Sequence, residues 1–93
     1  MNFIYEENRI YLEDMNGKTI AEITFPEVSK NVVEINHTFV DDSLRGQGIA
    51  GKLVEEAAKK LREDGKKAYP TCSYAVHWFE KNTDYADILS ENK

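Results

Sequence analysis

Cysteine is almost missing from this 93-residue chain: Cys72 stands alone, which excludes an internal disulfide framework. With only two histidines beside it, a structural zinc site lacks its ligands, and no metal is expected. Long apolar runs are missing too. No stretch approaches the roughly 20 residues that cross a bilayer, and no charged-then-apolar leader opens the chain, so it reads as cytoplasmic with no membrane partner. Positive charge is in short supply: 12 basic residues against 17 acidic ones leave a net charge of −5, which argues against nucleic acid or an acidic membrane as partner. Proline occurs only as Pro26 and Pro70, and there is no internal repeat or low-complexity segment.

What is present is an ordinary globular balance, 41% hydrophobic and 31% charged, sufficient for one domain over residues 1–93. Its charge is unevenly spread. From Arg45 to Lys67 seven basic residues meet four acidic ones, a balance of +3, and the remainder carries five against thirteen, a balance of −8. An anionic ligand suits the first region and a cationic one the second, although a solvated acidic surface also accounts for the latter.

The first half reads as antiparallel strands. Phe3 to Glu6 and Arg9 to Asp14 are short strands, Asn16-Gly17 is a hairpin signal, and Lys18 to Phe25 is a third strand ended by Pro26. After a polar loop, Val32 to Val40 is the longest β-like run, with Val33, Ile35, His37 and Phe39 expected on one face. The pattern then becomes helical. Ile49, Leu53, Val54, Ala57, Ala58 and Leu61 recur at helix spacing, Glu55/Lys59 and Glu56/Lys60 form i,i+4 pairs, and Gly65 stops the helix. A short strand over Lys66–Thr71 and a second helix from a Ser73 cap to Asn82 follow. Tyr85, Ile88 and Leu89 suggest a last turn.

Between the two halves lies Leu44-Arg45-Gly46-Gln47-Gly48-Ile49-Ala50-Gly51-Lys52, which holds three of the five glycines. Glycines here let several backbone N–H groups converge, and a helix N-terminus favours an anion, commonly a phosphate. Three phosphate-loop patterns overlay on it. A dinucleotide fingerprint, Gly46-x-Gly48-x-x-Gly51, needs a strand running straight into the first glycine and an acid after the next strand. Here a polar stretch intervenes, and Tyr69-Pro70-Thr71-Cys72 supplies no acid. A P-loop needs Ser or Thr after Lys52, and the residue is Leu53. The third pattern is Arg45-x-x-Gly48-x-Ala50 between a strand and a long helix.

That third pattern resembles the acetyl-CoA pyrophosphate loop of the GNAT acetyltransferase superfamily. The likeness runs from about Asn31 to Tyr85 and includes a second motif, Cys72-Ser73-Tyr74-Ala75 followed by Phe79-Glu80-Lys81. The chain looks like the small single-domain branch called YjdJ-type, which carries a cysteine at this place. The resemblance implies an α/β (α+β) GNAT-like fold: an antiparallel meander sheet with a splayed strand, a pyrophosphate loop and two main helices. It also implies acetyl-CoA as co-substrate and transfer of the acetyl group to an amine, carried by a small molecule or a protein. A non-catalytic acetyl-CoA-binding module, a sensor or regulatory subunit, is the alternative. The missing final strands would leave Lys66–Thr71 at a sheet edge, which tolerates Pro70 and suits a monomer or weak dimer.

By the same resemblance, N–H groups from Gln47 through Gly48, Ile49 and Ala50 to Gly51 hold the pyrophosphate, after Gly46, and Arg45 or Lys52 adds charge-assisted contacts. A backbone N–H near Phe39 or Val40 meets the thioester oxygen. Cys72 and Ser73 lie beside the cofactor, with His77 about one turn on. Phe79 replaces the tyrosine that protonates the departing thiolate in many relatives. Two catalytic candidates remain. Cys72, favoured as a thiolate at a helix N-terminus, is a nucleophile, an acid or pocket lining. His37 is the base by residue type, or else a packed histidine; Glu34 is a weaker base candidate. Asp41 and Asp42 are turn residues or attract a cationic acceptor.

Overall fold

Turn chemistry sets up the first sheet. The computed structural model describes residues 2–93. Strands β1 (Ile4–Glu6), β2 (Arg9–Glu13) and β3 (Thr19–Thr24) form the expected antiparallel meander. Asn16-Gly17 lies in the β2–β3 connection, where Gly17 takes φ +82° and Asp14 Oδ1 accepts the N–H groups of Asn16 and Lys18 at 2.9 Å each. Alternation buries Ile10, Leu12, Ala21 and Ile23 on one face and leaves Arg9, Tyr11, Glu22 and Thr24 partly exposed on the other.

The next segments depart from the sequence-based expectation. The polar stretch after Pro26 is a short strand, β4 (Glu27–Ser29), whose residues are all exposed. No apolar alternation announces it. The run Val32–Val40 is divided into β5 (Val32–Ile35) and β6 (His37–Val40). Asn36 causes the division: its N–H donates to the Thr24 carbonyl at 3.3 Å, although the register partner of Thr24 is His37. Two residues thus oppose one, as in a β-bulge. The extra residue reverses the faces. Val33 and Ile35 are buried, but His37 and Phe39 do not continue their face and are exposed, while Val40 packs against the core.

The two halves of this run serve different sheets. β6 completes an antiparallel sheet in the order β1-β2-β3-β6. β5 lies between β4 and β7 (Lys67–Pro70) and pairs with β7 in parallel, from Val32 opposite Lys67 to Ile35 opposite Pro70. Beyond Ile35 the parallel pair parts: the N–H groups of Thr71 and Cys72 both reach the Ile35 carbonyl, at 3.0 and 3.2 Å, and the chain turns into α2 (Ser73–Lys81). This is the splay that the resemblance implied. Pro70 ends an outer strand, whose far side meets Leu89 through an isolated bridge at Ala68, where the Ser90 N–H donates to the Ala68 carbonyl at 2.8 Å.

Helix α1 (Ile49–Glu63) covers one face of both sheets with the expected stripe of Ile49, Leu53, Val54, Ala57, Ala58 and Leu61, all buried. Gly65 ends it as expected. Its φ of +71° allows the Lys66 N–H to reach the Leu61 carbonyl at 2.9 Å, and its own N–H reaches that of Arg62 at 3.2 Å. From α2 come the core residues Ala75 and Phe79, and Ile88 from a 3-10 turn over Thr83–Ile88. Among the described residues, no helix is long and apolar enough to cross a membrane.

Candidate functional site

The site begins with a helix that has no side-chain cap. After β6, Asp41 opens a 3-10 turn over Asp42–Leu44, its carboxylate accepting the Ser43 N–H at 3.0 Å and hydroxyl at 2.7 Å. Those bonds from Ser43 hold the Asp41 carboxyl below its usual range. Two left-handed glycines then redirect the chain, Gly46 at φ +83° and Gly48 at φ +72°. Both conformations strain any residue with a Cβ. Gly48 is the N-cap of α1: its carbonyl accepts the Lys52 N–H at 3.1 Å, but it has no side chain to satisfy the donors ahead of that bond. Gly48, Ile49, Ala50 and Gly51 therefore present backbone N–H groups at the positive end of a 15-residue helix whose first turn holds no acid.

Beside these residues lies a depression of about 180 Å³. Val40, Arg45, Gly46, Gly48, Ile49 and Ala50, all expected near the cofactor, line it. Leu44 and Tyr74 join them. The sequence reading missed Tyr74. A Cβ built on Gly51 would lie 3.3 Å from its hydroxyl, so α2 packs against α1 at the first turn of that helix. Gln47 and Lys52 are exposed beside the depression, and Arg45 pairs through Nε with Asp42 Oδ1 at 2.8 Å, with both side chains largely in solvent.

From this depression the open edge of β6 leads to the splay. The Asp41 N–H donates to the Ile20 carbonyl at 2.8 Å. Alternation in an antiparallel ladder then turns the backbone groups of Phe39 and His37 towards β3, and those of Val40 and Thr38 towards the open edge. At the far end Thr38 Oγ1 lies 3.3 Å from Cys72 Sγ. Cys72, and not Ser73, is the N-cap of α2: its sulfur accepts the Ala75 N–H at 3.4 Å, and Ser73 is the first helical residue. The side chain is half-buried, as a free thiol.

The remaining candidates lie elsewhere. His37 is half-exposed on the outer face of β6, away from α1, with Nε2 3.5 Å from Glu22 Oε1; Glu22 is itself held by Arg9 Nε at 2.6 Å. The bulge places Glu34, Asn36, His37 and Phe39 on this outer face, and Thr38 and Val40 on the other. His77 is exposed on α2 and does not line the depression, and Ser73 is exposed at the helix start. Phe79 is 5% exposed, edge-on to Trp78 at 5.1 Å, and belongs to the core.

The splayed sheet, the bulged strand and the glycine-capped helix together are those of an acetyltransferase-type α/β domain. The chain belongs to the GCN5-related N-acetyltransferase (GNAT) family, whose sequence profile matches residues 9–88. It is similar to the protein NATD1 of Gallus gallus and of Homo sapiens, at 36% identity over 62 residues, or 67% of this chain. It spans little more than half the length of those curated relatives, 56% and 55%. Its fold is similar to the NMR structure of a GCN5-like protein from Staphylococcus aureus (TM-score 0.80, 35% identity, 99% of this chain and 90% of that one). A GNAT-family N-acetyltransferase of Escherichia coli, YhbS, solved in complex with CoA, matches 74% of this chain and 42% of that one at TM-score 0.61 and 25% identity.

Proposed function

We propose that this protein transfers the acetyl group of acetyl-CoA to an amine. The observation that carries the reading is the run of N–H groups from Gly48 to Gly51 without a side-chain cap, beside a depression that Val40 at the end of the edge strand β6 also lines. Such donors bind a pyrophosphate without a side chain's help, and Arg45 adds a bidentate cation once it leaves Asp42. The free edge suits an extended amide-bearing chain such as pantetheine, which pairs with a strand by main-chain hydrogen bonds.

Along that edge the N–H of Thr38 or Val40 receives the thioester oxygen and stabilises the negative charge that forms there. The amine nitrogen attacks the carbonyl carbon, the C–N bond forms, and the C–S bond breaks. The amine's proton passes to His37 on the outer face, directly or through water, and the departing CoA thiolate takes one from the Cys72 thiol beside Thr38. Return of a proton from His37 through solvent restores Cys72. With Phe79 in the core, no tyrosine stands at that position to do this work. That substitution favours the second reading, an acetyl-CoA-binding module without turnover.

Calorimetric titration with acetyl-CoA, with NADH and magnesium-ATP in parallel, tests the binding step. Saturable binding of acetyl-CoA alone is expected; binding of a nucleotide instead, or of nothing, would overturn the reading. Release of free CoA thiol in the presence of primary amines then separates the enzyme from the module.

A further inference from the structure

The chain holds one of its own ammonium groups against residues that flank the splay. Lys93 Nζ lies 3.1 Å from Glu34 Oε1 and 5.9 Å from the centre of the Tyr69 ring. The other carboxylate oxygen of Glu34 accepts the Thr71 hydroxyl at 2.7 Å. Two strand positions and the residue after β7 make this cradle. Glu34 and Tyr69 are register partners in the parallel β5–β7 pair and so share the outer face, and Thr71 is the residue at which β7 gives way to the splay. Thr71 adjoins Cys72, and His37 lies on the same outer face, three residues after Glu34. A carboxylate, an aromatic face and a hydroxyl are what a primary ammonium needs: a counter-ion, a π-face and polar contact.

We infer that Glu34, Tyr69 and Thr71 form the subsite for the acceptor amine, that the acceptor is a primary alkylammonium on a flexible stem, and that Lys93 occupies the subsite until the acceptor displaces it. This rests on the acetyl-transfer reading and names the substrate class of that site. The hydrogen bond from Thr71, then Lys93, holds the Glu34 carboxyl below its usual range, so it stays ionised near neutrality. That makes Glu34 a counter-ion for the ammonium rather than the acceptor of its proton, and leaves proton removal to His37. Displacement is easy. Lys93 is about half-exposed, and an ion pair of this kind contributes little in water.

The test uses n-butylammonium chloride, which has the lysine side chain's stem and head. It is titrated into isotopically labelled protein and followed by amide chemical shifts, with calorimetry of acetyl-CoA on the same samples. Shifts at Glu34, Tyr69 and Thr71 are expected. Affinity should rise roughly two- to fivefold in Lys93→Ala and fall by a similar factor in Glu34→Gln. Equal affinity in the wild type and Lys93→Ala, or shifts confined to other residues, would overturn the subsite. Acetyl-CoA affinity should be unchanged by Lys93→Ala. If acetyl-CoA fails to bind while butylammonium still shifts these amides, the transfer reading falls and the ammonium site stands.

Discussion

Thr38 Oγ1 and Cys72 Sγ meet at 3.3 Å across the opening between β6 and the start of α2. One comes from the strand that stays with the antiparallel sheet, the other from the helix that follows the parallel neighbour, so their contact marks where the splay begins. The thiol also caps α2 through the Ala75 N–H. These two roles separate experimentally. Cys72→Ala should lower turnover by about 10²-fold, the scale of a lost proton donor, and leave acetyl-CoA affinity within about threefold. Cys72→Ser should retain part of the rate and the stability, because a serine hydroxyl donates a proton and caps a helix. Unchanged steady-state rates in Cys72→Ala would reduce the thiol to pocket lining.

Among the described residues, Gly48 has no neighbour within 4 Å of where a Cβ would stand, so Gly48→Ala introduces no clash with them. Its φ of +72° still imposes about 1–2 kcal/mol of strain, and the new methyl occupies space at the mouth of the N–H cluster. Chemical denaturation should register that strain as a modest loss of stability. Acetyl-CoA affinity, read by calorimetry, should fall about tenfold or more, as expected for losing a charge-assisted hydrogen bond.

Arg45 is held by Asp42 in solvent, and a bound pyrophosphate would compete for the same guanidinium. Opposite effects follow from removing either partner. Arg45→Ala should weaken acetyl-CoA by about three- to tenfold, and Asp42→Asn should strengthen it slightly. Both differences should shrink as salt is raised from low to physiological concentration, since exposed charges are screened. Affinities in Arg45→Ala equal to wild type at low salt would remove the arginine from the site.

Arg62 grips Asp87 with two hydrogen bonds, Nε to Oδ2 at 3.0 Å and Nη2 to Oδ1 at 2.5 Å, and ties the 3-10 turn after α2 to the end of α1. The hydrogen bond from Arg62 lowers the Asp87 carboxyl from its ordinary 3.8. A carboxyl depressed by folding stabilises the folded state above its unfolded value, and this contribution fades as pH falls through the folded value. Asp87→Asn should therefore be less stable than wild type at pH 7. The gap should close as pH falls from about 4 downward, which denaturation at a series of pH values would follow.

Some elements were legible in the residues because their signals are local. The stripe from Ile49 to Leu61, the left-handed Gly65 and the Asn16-Gly17 turn each depend on dihedrals set within a few residues, and each is where its pattern places it. The glycine loop was legible for the same reason: positive φ at Gly46 and Gly48 is a demand on residue type. β4 was not. Glu27–Ser29 is exposed throughout and is a strand only because β5 runs beside it.

By itself, then, the sequence determined where α1 starts and stops, which of its faces is apolar, and that a family-type phosphate loop joins the two halves. Tertiary structure alone decided what stands around that loop. The bulge at Asn36 arises from pairing with Thr24 across the sheet, and it moves His37 and Phe39 out of the apolar face that their spacing assigned them. Long-range packing likewise brings Tyr74 against Gly51, Cys72 against Thr38, and Lys93 onto Glu34. Periodicity reports the local backbone. Register, bulges and contacts between distant segments follow from pairings that no short window of sequence contains.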